Sequence, residues 1–225
     1  MRKIAFAPGE YYHCYNRGTD RRKIFLTPKD HLRFMVLLYV CNSDKDIHPS
    51  NFRTKNIIEL FNIERGRPLV AIGAWCLMPN HFHLLLKETK EGGISLFMHK
   101  LGVAYTMYFN KRSHRVGALF QSTFKAEHVD EDRYLKYLFS YIHLNPVKLI
   151  DSKWKERGLK NLKETKKFLG IYEYSSYLDF LKIKRPQNKI LNTAEFPNYF
   201  EKLKDFDKEI TEWLSYGKDF QIYLR

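Results

Sequence analysis

The stretch from Pro68 to Lys87 constrains the fold most. Pro68 to Leu77 (PLVAIGAWCL) is an unbroken apolar run, consistent with a buried strand. Met78-Pro79-Asn80 is turn-like, and His81 to Lys87 (HFHLLLK) reads as a second strand. Two short strands joined this tightly form an antiparallel hairpin. Upstream, Tyr11 to Asn16 reads as a strand ending in the Arg17-Gly18 turn, and Pro28 opens a helix carrying Phe34, Leu37, Leu38 and Cys41. Asn42 to Arg67 is a polar connection with at least one helical turn around Ile57 to Phe61. Downstream, Gly92-Gly93 precedes a helical pattern from Ile94 to about Asn110, and Thr123 to Val129 forms a further strand. Asp130 is the expected N-cap of a helix bearing Tyr134, Tyr137, Leu138, Tyr141 and Ile142, which Pro146 stops. This order predicts an α+β fold, an antiparallel sheet with helices packed on one face.

With 44% apolar residues, including 17 Phe and 15 Tyr, the 225-residue chain can bury a sizeable core. Cys14, Cys41 and Cys76 are too few and too scattered for a disulfide framework or a zinc knuckle, and read as buried free thiols. No run of 18 apolar residues is present, and the N-terminal residues lack the apolar core of a signal peptide; the expectation is a soluble, cytoplasmic protein with no membrane partner. Thirty-nine basic against 25 acidic residues give a net charge of +14. That excess favours a polyanion, because neutralising phosphates releases counterions. Lys153 to Lys167 holds seven basic and two acidic residues, a charged loop or solvated helix.

His81 and His83 carry the sharpest chemistry. On a strand, residues i and i+2 share a face roughly 6.6 Å apart, so two imidazoles can grip one cation while Phe82 faces the other way. Histidine pairs also arise by chance; this one heads an apolar strand directly after a turn, where imidazoles point into an open sheet face. With no thiolates at zinc spacing, two imidazoles and an oxygen donor suit Mn²⁺, or Mg²⁺ less comfortably. A tyrosine and a metal ligand on one helix face stand four residues apart. Only Tyr12–Asn16 and Tyr141–Asn145 pair a tyrosine with a His, Asp, Glu, Asn or Gln at that spacing, and Tyr12 lies in a strand. The rule selects Tyr141. Asn145 precedes Pro146, which disfavours helical backbone there, and a core-anchor role for Tyr141 is the alternative. His143, two residues on, points away from the cation and is a structural residue or one facing the polyanion.

Five segments occur in order: Tyr11-Tyr12-His13-Cys14-Tyr15-Asn16-Arg17-Gly18, Cys76-Leu77-Met78-Pro79-Asn80-His81-Phe82-His83-Leu84-Leu85, Gly117-Ala118-Leu119-Phe120-Gln121, Tyr141-Ile142-His143-Leu144-Asn145-Pro146-Val147 and Tyr174-Ser175-Ser176-Tyr177. Together, over roughly residues 10 to 180, they resemble the REP-associated tyrosine transposases, relatives of the single-strand insertion-sequence transposases of the HUH class. The resemblance implies a ferredoxin-like HUH nuclease domain over 1–182 with a C-terminal extension over 183–225. It makes His81, His83 and Asn145 the metal ligands, with Mg²⁺ or Mn²⁺ as cofactor, and Tyr141 the nucleophile. It implies cleavage and strand transfer of single-stranded DNA with hairpins through a 5′-phosphotyrosine. A protein acting on DNA is expected to be nucleoid-associated, and a monomer or homodimer is expected. The 42–67 connection, the basic insert and the C-terminal tail depart from the family pattern and bear on hairpin recognition. Base stacking and phosphate contact make Arg17, Arg21, Arg22, Arg115, Phe120, Gln121 and Lys125 the DNA-contact candidates, the alternative for each being a solvated charge or a core aromatic. The rival functions are a DNA-binding protein of the same fold that does not cut and a metal-dependent hydrolase without a covalent step.

Overall fold

A computed structural model of the chain describes residues 4–45 and 56–215; the middle of the 42–67 connection, the first three residues and the end of the C-terminal extension lie outside the described residues. In chain order come β1 (Tyr11–Arg17), α1 (Pro28–Val40), β2 (Val70–Met78), β3 (His81–Glu88), α2 (Gly93–Arg112), β4 (Lys125–Val129) and α3 (Asp132–Leu144). The sheet order is β2-β3-β1-β4, and each neighbouring pair is antiparallel. This is the βαββαβ arrangement of the expected ferredoxin-like fold. The β2–β3 hairpin closes on the Met78–His81 pair, around Pro79-Asn80.

Helices cover both faces of the sheet, not one. Phe34 and Leu38 of α1 and Phe97, Leu101 and Tyr105 of α2 join Tyr12, Cys14, Trp75, Leu77, Phe82, Leu84 and Leu86 in one core. Leu135, Leu138 and Ile142 of α3 join Ala71, Ala74, Cys76, Met78 and Leu85 in a second. The physical reason lies in β2: all nine of its residues are buried, so alternate side chains need an apolar partner on each side. The strand is irregular between Ile72 and Ala74, at Gly73, where a Cβ would lie 2.8 Å from ring atoms of Phe196. Glycine is the residue that admits that ring.

The rest of the chain builds outward from the α3 layer. A 3-10 turn (Asn145–Leu149) leads to α4 (Trp154–Arg157), α5 (Leu162–Leu169), α6 (Tyr177–Phe180) and α7 (Leu203–Ser215). The basic stretch carries two short helices with most of their charged side chains exposed, the solvated-helix reading of the sequence, and Trp154 and, just past the stretch, Leu169 anchor them in the second core. Phe196, Phe200, Phe206, Ile210 and Leu214, from the C-terminal extension, are buried in the same layer. Tyr174 to Tyr177 covers the open edge of β2: Leu77 N donates to Tyr174 O (2.8 Å), Ser176 N to Trp75 O (2.9 Å) and Trp75 N to Ser176 Oγ (2.9 Å). The N-cap of α3 is Glu131 rather than Asp130; Glu131 is extended and makes no side-chain cap bond, and Asp132 supplies the acidic first turn. All three cysteines are free and buried. Among the described residues, no helix is long and apolar enough to cross a membrane.

Asp30 ties α1 to α2. Its fully buried carboxylate accepts from Leu26 N (2.9 Å), Thr27 N (2.8 Å) and Tyr108 Oη (3.0 Å), and is paired with Arg112. Burial opposes its ionisation, but these donors outweigh it and hold the pKa below the usual carboxylate value. A depressed folded-state pKa contributes stability that is present above the unfolded value, near pH 4, and is lost as pH falls through the folded value. Asp30→Asn is expected to cost about 3–5 kcal/mol in denaturant melts at pH 7, with the gap to the parent protein narrowing below about pH 4. Gly73→Val, which drives a side chain into Phe196, is expected to cost about 1–3 kcal/mol in the same melts.

Candidate active site

Opposed residues of an antiparallel pair share a face. β1 and β3 pair as Arg17–His81, Tyr15–His83 and His13–Leu85, and β1 and β4 as Tyr15–Lys125 and His13–Glu127. These residues occupy the α3 side of the sheet, the side on which Leu85 is packed. Tyr141 descends onto them from α3. Its ring centroid lies 5.6 Å from that of His83 and 5.8 Å from that of His13, edge-on to both. His81 and His83 are 5.0 Å apart with nearly perpendicular rings. Asn145 keeps helical backbone (φ −54°, ψ −41°) despite the following Pro146. Its Nδ2 donates to Tyr141 O at 2.8 Å, so the four-residue spacing survives the end of the helix. His81, His83, Tyr141 and Asn145 line one cavity of about 570 Å³.

The hydrogen bonds of the two histidines leave the same atom over on each. His81 Nδ1 donates to Asn80 Oδ1 at 2.6 Å, and His83 Nδ1 lies 2.8 Å from His13 Nε2. Both rings retain Nε2. Burial lowers the His81 pKa to about 4, helped by Arg17 and Lys148. Burial, then His13 and His81, pushes His83 well below its ordinary value. Neutral imidazoles with a spare nitrogen are what a cation requires. Among the described residues, no three His, Cys, Asp or Glu side chains form a ligand set, so a third protein donor falls to another residue type. Asn145 Oδ1 fits: it is buried and makes no hydrogen bond.

Basic residues surround the cavity. Arg17, Arg21, Lys125 and Lys148 line it, with Gln121 beside them. Lys155 Nζ sits 4.6 Å from the Tyr141 ring centroid, and burial followed by the charge of Lys148 lowers its pKa to about 7. Tyr141 itself is raised by burial and by Glu127, so its phenol holds its proton more firmly than a free tyrosine. Four of the seven sequence-predicted DNA contacts (Arg17, Arg21, Gln121 and Lys125) thus stand at the cavity. Arg22, Arg115 and Phe120 stand outside it: Arg115 is engaged by Asn110 and Ala118, and Phe120 packs against Phe82 and Tyr105. His143 is buried in the second layer, its Nε2 2.7 Å from Ser176 Oγ, a structural position.

Sequence reasoning missed His13, Tyr15, Glu127 and Lys148 as cavity residues, and Lys155 as the cation over the Tyr141 ring. The alternation of Tyr11, His13 and Tyr15 against Tyr12 and Cys14 carried a signal for the first two, since it divides β1 between two faces.

The comparisons bear on this arrangement. The family model for IS200-like transposases matches residues 10–145. Among solved structures, the chain is similar to a REP-associated tyrosine transposase bound to a REP hairpin, with a TM-score of 0.50 at 13% identity over 83% of this chain and 89% of that one. At that identity the likeness concerns the fold. No curated protein sequence matches the chain. The family match spans well over half of the chain and takes in β1, both histidines of the pair, Tyr141 and Asn145, and the chain belongs to the IS200-like transposase family.

Proposed function

We propose that this protein is a metal-dependent single-strand DNA endonuclease and strand transferase acting on hairpin-containing DNA. One observation carries the proposal: the Tyr141 ring stands within 6 Å of the His83 ring in a basic-walled cavity shared with His81 and Asn145. The similar solved structure, whose protein is bound to a REP hairpin, supports the substrate class.

His81 Nε2, His83 Nε2 and Asn145 Oδ1 would hold a divalent cation, Mg²⁺ or Mn²⁺. When bound, it supplies Lewis-acid chemistry, drawing charge from non-bridging phosphate oxygens and stabilising the leaving 3′-oxygen. Arg17, Arg21, Lys125 and Lys148 hold the backbone of the DNA across the cavity. Tyr141 Oη attacks the phosphorus. A tyrosyl O–P bond forms, the P–O3′ bond breaks, and its electron pair leaves on the 3′-oxygen, which ends as a hydroxyl after taking up the proton the phenol gives up. The products are a 5′-phosphotyrosine and a free 3′-hydroxyl. Attack by another 3′-hydroxyl reverses the exchange, so rejoining needs no nucleotide cofactor. Lys155, over the ring face, favours the phenolate that Glu127 and burial oppose.

Incubating a labelled single-stranded hairpin with Mn²⁺ and resolving the products on a denaturing gel tests the scheme. A covalent protein–DNA band is expected, absent in EDTA and in Tyr141→Phe and His81→Ala. Hairpin binding without any band across diverse hairpins would favour a non-cutting DNA-binding protein, and nicking that survives Tyr141→Phe would favour a hydrolase. Because the phenol is held protonated, the rate of band formation is expected to rise with pH from 7 to 9. Lys155→Met is expected to slow it about tenfold at pH 6, where Lys155 carries its charge, and less at pH 9, where it does not. Arg17→Ala is expected to lower the slope of log affinity against log salt by about 0.7–0.9, with affinity reduced for every hairpin sequence.

A further inference from the structure

His13 touches one of the proposed metal ligands yet has no part in the chemistry above. It is buried at 4% exposure in the middle of β1, a position where a histidine needs partners for both ring nitrogens. Nε2 meets His83 Nδ1 at 2.8 Å, and Nδ1 faces Glu127 Oε2 at 3.7 Å. The other oxygen of Glu127 accepts from Tyr15 Oη at 2.8 Å, which fixes the carboxylate.

Between two neutral imidazoles the hydrogen bond runs in one of two directions, with opposite consequences. If His13 donates, His83 Nδ1 is the acceptor and the His83 proton sits on Nε2, blocking a cation. If His83 donates, its Nε2 lone pair is left for the cavity. Glu127 decides between them. At 3.7 Å its carboxylate is beyond direct hydrogen-bond length, but its charge favours a proton on the near nitrogen of His13, Nδ1. His13 Nε2 then has no proton, and His83 must donate. Resting on the metal site proposed above, we infer that Glu127 and His13 form a relay that fixes the tautomer and the ring orientation of His83, with His13 as a positioning residue outside the ligand set. A carboxylate acting on a metal-bound histidine usually does so directly; here a second imidazole extends its reach from β4 across β1 to β3. His81 gets the same result locally, by donating Nδ1–H to Asn80.

The relay exists without the metal, so it can be observed in the metal-free protein. Long-range proton–nitrogen correlation spectra of histidine-labelled protein are expected to show the proton on Nδ1 in both His13 and His83. A His83 proton on Nε2 would overturn the inference. In titration calorimetry with Mn²⁺ alone, His13→Leu is expected to weaken binding about 10–100-fold. His13→Gln, whose amide oxygen can still accept from His83, is expected to retain most of the affinity. In a His83→Ala background, His13→Leu should cause no additional loss; a further loss would mean that His13 acts other than through His83, and would also overturn the relay. Thermal melts of each variant separate these effects from misfolding, with His13→Gln as the folded control. Failure of the unaltered protein to bind Mn²⁺ would instead remove the metal site itself, and the relay's purpose with it.

Discussion

The site depends on the register of β1 against β3. Arg17 opposite His81 and Tyr15 opposite His83 place a cation and an aromatic hydroxyl on the same face as the histidine pair, and put His13 within reach of His83 on the diagonal. A shift of one residue would send His13 and Tyr15 into the α1–α2 core and bring Tyr12 and Cys14 to the cavity. The shift is opposed from the other side of the sheet, where Tyr12 and Cys14 are fully buried in the core that also holds Phe34 and Tyr105. Packing on the face without chemistry thus holds the face that carries it.

Electrostatics adds the second requirement. His81 and His83 are buried beside Arg17 and Lys148, so both stay neutral. The same burial keeps Tyr141 protonated. The cavity therefore collects positive charge from residues that are always or mostly cationic, while its nitrogen donors remain uncharged. That combination suits a divalent ion and a polyanionic strand arriving together.

Much of the fold was legible from pattern. The β2–β3 hairpin, α1, α2 and α3 followed from periodicity and turn residues, and the i+4 spacing singled out Tyr141 with Asn145. Asn145 kept helical backbone against the local preference imposed by Pro146, because it closes the last turn through the Tyr141 carbonyl. Other features resisted a local reading. Trp154 anchors the basic stretch in a core, but its three apolar residues, Trp154, Leu159 and Leu162, are spread too thinly among seven basic ones to show which of them is buried. Residue type alone also does not reveal that Phe120 packs on Phe82 and Tyr105, or that Arg115 is bonded to Asn110.

By itself, the sequence determined which residues alternate and which fall four apart: the two histidines on one strand face, the tyrosine and the asparagine on one helical turn. These relations need only the geometry of a single element. Only the tertiary structure decided that a third histidine, a carboxylate from β4 and a lysine from beyond α3 join them, and that helices cover both sides of the sheet. Those contacts join segments far apart in the chain, 70 residues for His13–His83 and 112 for Tyr15–Glu127. Strand register and helix docking bring them together, and both are set by the burial of apolar side chains over the whole chain rather than by any local run of residues.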